Sequence, residues 1–82
     1  MISDVQEVPV PNLRELRRRR LLTQKELADR LGVRYQTVQL WESGQRYPRP
    51  SAQRRLCEAL EVTPEDLLAA LDQSAEEGKA AA

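Results

Sequence analysis

Among the side chains of this chain that could do chemistry, the glutamine amides Gln24, Gln36 and Gln39 stand out. An amide donates and accepts at once, so it reads hydrogen-bonding patterns and does not move protons or attack carbon. Covalent chemistry lacks its parts. The 82 residues contain no histidine, and Cys57 is the only cysteine. The commonest general base and metal ligand are therefore missing, and no internal disulfide or cysteine-based metal site is expected. Nor is there a Gly-rich phosphate loop from which to assemble a catalytic constellation. The expectation is a binding protein, not an enzyme, with no metal and no cofactor.

Charge suggests what is bound. The formal net charge of zero conceals an uneven distribution. Residues 12–55 carry twelve Lys/Arg against four acids, a net +8, while residues 56–82 carry one lysine and seven acids, a net −6. Residues 1–11 add −2 from Asp4 and Glu7, which restores zero. A positive body with an acidic tail suits a polyanion partner. Solvated surface charge explains the same numbers, so charge alone does not decide.

Five short helices must position these groups. Residues 1–11 read as an extended arm, because Pro9 and Pro11 forbid a helix there. The valines of VQEVPV patch the edge of the core in this reading, with a dimer-bridging strand as the alternative. A first helix runs from about Asn12, a good N-cap, to Arg20, with Leu13, Leu16, Arg17 and Arg20 on its inner face. Arg18 and Arg19 then face outward. A second helix opens at Thr23, where T-Q-K-E forms a capping box, presents Leu27, Ala28 and Leu31, and stops at Gly32. A third spans roughly Tyr35 to Ser43 and ends at Gly44. The prolines of QRYPRP make residues 45–50 a loop. A fourth helix, capped by Ser51, buries Leu56, Cys57 and Leu60. A fifth opens with T-P-E-D and buries Leu67, Leu68 and Leu71. From Asp72 onward the chain is small, charged and Ala-rich, and reads as a frayed or disordered tail. Strand-like alternation is absent. The fold class is all-α.

The third helix carries the specific signal. At 100° per residue, Val38, Trp41 and Glu42 share an inner side. Gln36, Gln39, Leu40 and Ser43 fall opposite, and Tyr35 sits at the exposed N-terminal end. The two amides match the edge of an adenine, and Leu40 offers an apolar contact for a thymine methyl. A slim helix lined this way suits a DNA major groove. Gln24, at the start of the preceding helix, can bind a phosphate beside free backbone N–H groups.

Gln24 to Ser43 resembles the helix-turn-helix of Cro/C1-type phage repressors, the XRE family. The family's small and apolar positions are met by Leu27 and Ala28, by Leu31 with Gly32 and Val33 at the turn, and by Val38 and Trp41 in the third helix. The likeness extends over residues 12–71, including the L-T-Q opening and the V-T-P-E-D-L-L ending. It implies a compact five-helix, lambda-repressor-like domain with the helix-turn-helix at helices 2 and 3. It further implies a phosphate contact at Gln24, base reading by Tyr35, Gln36, Gln39 and Leu40, and a backbone contact at Thr37. Arg34 at the turn, and Arg46 and Arg49 in the following loop, would grip flanking phosphates, and Ser43 closes the same face. Two departures are visible. Tyr35 and Leu40 stand where glutamine or another polar side chain is common, so the operator cannot be copied from any relative. Leu21 replaces the usual Gly or Asn after the first helix.

Three further expectations follow. Arg17 and Glu42, each on an inner face, are expected to meet as a buried ion pair, since a lone charge in either place is costly; the resemblance implies the same pair. Trp41 and Cys57 are expected in the core and not as a stacking platform or a redox sensor. With no targeting signal read in the sequence, a cytoplasmic protein is expected. The resemblance implies a bacterial or phage-encoded transcriptional regulator, a repressor or controller, bound as a homodimer to a palindromic operator in double-stranded DNA. The alternative is an antitoxin-like module whose main partner is a small protein and whose DNA binding is autoregulatory. No run is long and apolar enough for a membrane partner.

Overall fold

Leucine supplies most of the core. Leu13, Leu16, Leu22, Leu27, Leu31, Leu56, Leu60, Leu67 and Leu71 are all buried, with Ala28, Val38, Trp41 and Ala70 filling between them. A computed structural model describes residues 10–80, in which five helices bring these side chains together. They are α1 (Leu13–Arg19), α2 (Gln24–Leu31), α3 (Tyr35–Glu42), α4 (Pro50–Leu60) and α5 (Pro64–Ala80). No strand occurs among the described residues, and the fold is all-α. The expected extended arm of residues 1–11 lies outside them, save for Val10 and Pro11.

Reciprocal caps start the first two helices. Asn12 Oδ1 accepts the Glu15 N–H at 2.9 Å while Glu15 Oε1 accepts the Asn12 N–H at 3.0 Å. Thr23 and Glu26 repeat the arrangement at 3.0 and 2.8 Å. Each box satisfies donors that the first turn leaves without an intrahelical partner. α2 ends at Gly32 with φ 70°, which turns the chain sharply into α3. The Val33 N–H then returns to the Ala28 carbonyl at 3.0 Å. Ala28 is buried, and α2 packs directly against α3.

Four expectations need correction. α4 starts at Pro50 with Arg49 as its N-cap, and Ser51 is already helical. Proline is pre-set for the first helical position, and that fixes the residue before it as the cap. Leu68 is 41% exposed; Ala70 takes the inner position between Leu67 and Leu71. Cys57 is only partly buried, against the core and not within it. Arg20 follows α1 as an exposed C-cap, although its Nε still donates to the Leu60 carbonyl at 2.9 Å.

The largest correction concerns residues 72–80. Where a frayed or disordered tail is expected over residues 72–82, α5 continues to Ala80 with Ser74 completely buried; residues 81–82 lie outside the described residues. The stretch holds no large apolar residue, so hydrophobic periodicity gives no helix signal there. It docks instead through small residues, which a hydropathy pattern does not register.

Candidate nucleic-acid interface

α3 divides as its periodicity requires. Val38, Trp41 and Glu42 are buried, while Tyr35, Gln36 and Gln39 are exposed on the other side. Thr37, Leu40 and Ser43 are half-buried at its margins. The Ser43 hydroxyl donates to the Leu40 carbonyl at 3.2 Å and so turns back on its own helix. Thr37 joins Arg46 and Arg49 on the wall of one shallow cleft, which Val33, Trp41 and Pro48 also line.

The charges around this face are uncompensated. Arg34 is the N-cap of α3 and makes no side-chain cap bond. Arg34, Arg46 and Arg49 are exposed, and among the described residues none takes part in an ion pair. The positive groups therefore flank both ends of α3 with their charge open to solvent. That is the arrangement a phosphate backbone would meet.

The two charges on the inner side are handled differently. Arg17 Nε donates to Glu42 Oε2 at 2.6 Å and Arg17 Nη2 donates to Glu42 Oε1 at 3.2 Å. Arg17 Nη1 donates to the Leu22 carbonyl at 2.8 Å, so the guanidinium also holds the turn after α1. Glu42 accepts a further bond from Gln24 Nε2 at 3.0 Å, and Gln24 Oε1 accepts a longer one from Gln39 Nε2 at 3.4 Å. One chain of polar contacts thus runs from the interior of α1 to the outer face of α3. Residue types put Gln24 and Gln39 on this surface but do not link them, because helical wheels order residues within a helix and not between helices.

Tyr47 carries no site signal of its own in the sequence. Its hydroxyl donates to Asp72 Oδ1 at 3.2 Å, which ties the loop after α3 to α5. Burial pushes the phenol above its ordinary pKa, and the neighbouring Asp72 carboxylate adds to the rise. The only advance signal was its place between Arg46 and the prolines of the loop. Burial likewise pushes the Cys57 thiol up, with Glu58 adding to it, so the reactive thiolate is disfavoured.

No group of metal-ligating side chains occurs among the described residues. No helix there is long and apolar enough to cross a membrane. No curated protein and no solved structure matches the chain. The Helix-turn-helix family model, however, matches residues 13–67, more than half of the chain and the span that contains α1 to α4 and the start of α5. With α2 and α3 joined by the turn at Gly32, the chain belongs to the Cro/C1-type (XRE) helix-turn-helix family of DNA-binding domains.

Proposed function

We propose that this protein is a sequence-specific regulator of transcription that docks α3 in the major groove of double-stranded DNA. The observation that carries the reading is the outer face of α3. Exposed amides at Gln36 and Gln39 lie between Arg34 on one side and Arg46 and Arg49 on the other, exposed arginines that make no ion pair among the described residues. A helix about 10–12 Å across enters a groove about 12 Å wide. Gln36 pairs with a base edge, Tyr35 and Leu40 add apolar contact, and Gln39 is held ready by Gln24. Arg34, Arg46, Arg49, Thr37 and the N-terminus of α2 at Gln24 take the phosphates, and Ser43 closes the margin.

The protein acts as a repressor or controller by occupying a promoter. Two copies sit on a palindromic operator, with half-sites about one helical turn (~34 Å) apart. The acidic α5 side serves as the dimer surface, since the basic side faces DNA.

Selection from randomised duplexes, read by sequencing, tests the proposal. The expected product is a two-fold symmetric consensus bound with a 2:1 stoichiometry. Enrichment of no motif would end the sequence-specific reading, and a single protected half-site at saturation would end the dimer.

A further inference from the structure

The family match stops at Leu67, yet α5 runs on to Ala80. The added turns reach two places at once. At the N-terminus of α1, the buried Ser74 Oγ accepts the Leu13 N–H at 3.1 Å, and Asn12 Nδ2 donates to Glu77 Oε1 at 2.7 Å. At the C-terminus of α3, backbone meets backbone. A Cβ added to Gly44 would lie 2.5 Å from the Ser74 carbonyl oxygen and 2.8 Å from Ala75 Cα. A Cβ added to Gly78 would overlap the Ser43 carbonyl oxygen. Gly44 also has φ 78°, which L side chains rarely adopt. Only glycine at both positions permits this approach. Tyr47 and Asp72 fasten the following loop to the same helix.

We propose that residues 72–80 are a brace that fixes the C-terminal end of α3 against the start of α1, with Ser74 and Gly78 as positioning residues for DNA recognition. α3 has eight residues, and α2 holds it through the turn at Gly32 and through the Gln24 side chain on Glu42. A helix that short gains little rigidity from its own hydrogen bonds. Its far end is secured by Val38, Trp41 and Glu42 below it and by α5 beside it. Loss of the brace leaves the helix-turn-helix folded but lets the end of α3 shift, and an ångström of misplacement at a recognition surface is costly. The effect on recognition rests on the DNA-binding reading above; the effect on α3 does not.

Gly78→Ala in the full chain is the sharpest test, because the two accounts differ in sign. At an unencumbered helical position, alanine is more favourable than glycine. Here the variant should instead melt at lower temperature and exchange its Trp41–Gly44 amides faster in the absence of DNA. It should also bind the selected duplex about tenfold more weakly, the scale of one mismatched base pair. Glu76→Ala, on the exposed side of the same turn, should neither lower the melting temperature nor quicken exchange at Trp41–Gly44. Should Gly78→Ala fail to fold, Ser74→Ala serves: it leaves the Leu13 N–H without its partner and should quicken exchange both there and at Trp41–Gly44. Unchanged exchange in the folded variants overturns the brace. Faster exchange with wild-type affinity overturns its positioning role. A wild-type chain that binds no duplex would sink the DNA-binding reading, while exchange would still judge the brace.

Discussion

Arg17 and Glu42, 25 residues apart, grip each other at two points with almost no exposure to solvent. The pair joins the middle of α1 to the last residue of α3. Removing one partner strands a buried charge, whereas removing both removes the burden of desolvation as well. Arg17→Ala should therefore destabilise the fold by about 3–5 kcal/mol. Arg17→Met combined with Glu42→Leu should cost much less. A double-mutant cycle in urea measures the coupling, and strict additivity of the single changes would deny that the contact contributes.

Leu21 offers the opposite case, a residue whose replacement should stabilise. It stands at φ 56° with its side chain 90% exposed. The Leu21 N–H bonds to the Arg18 carbonyl at 2.9 Å and the Leu22 N–H to the Arg17 carbonyl at 3.3 Å. That pattern closes a helix with a left-handed residue, normally glycine. Leu21→Gly should add about 1 kcal/mol, because the backbone strain is relieved and no packing is lost. The thermal midpoint reports it, and a fall of several degrees would mean that Leu21 makes a contact its exposure does not suggest.

How much of this was legible in the sequence depended on the kind of contact. The N-caps at Asn12 and Thr23 are local, so the residues themselves announce them, although the reciprocal Glu15 bond at Asn12 emerges only in the structure. Alternation of buried and exposed positions on α3 follows from its period alone, and the Arg17–Glu42 contact from two inner-face charges having nowhere else to go. Leu68 was misplaced because three leucines in five positions cannot all face one way, and the smaller Ala70 fits the closer approach. The docking of Ser74 and Gly78 was invisible for a deeper reason. Glycine and serine contribute to packing by what they leave out, and the neighbour that needs the space lies thirty or more residues away.

The basic groups flanking α3 should act on affinity without acting on specificity. Arg46→Ala and Arg49→Ala should each weaken operator and random duplexes alike. Each should also flatten the dependence of log K on log salt by about one unit, as one fewer counterion is released. Titration at several salt concentrations gives the slope. A variant that loses affinity for the operator only would place that arginine on a base and not on a phosphate.

Gln36 and Gln39 look equivalent on a wheel, but their surroundings separate them. Among the described residues the Gln36 side chain has no hydrogen-bond partner, so both ends of its amide are open to a base edge. The amide of Gln39 already gives one N–H to Gln24, which is held in turn by Glu42. An open amide can pair bidentately with adenine, and such a pair discriminates by about 1–3 kcal/mol. Gln36→Ala should therefore lose that much on the selected operator and little on random duplexes, relaxing the preference at one base pair in each half-site. Gln39→Ala should cost less specificity and more general affinity, because it frees Gln24 from the position in which α2 presents it to a phosphate. Binding of both variants to operator and random duplexes decides between the roles. Equal losses for Gln36→Ala on the two duplexes would make Gln36 a backbone contact and assign the reading of sequence to another residue of α3.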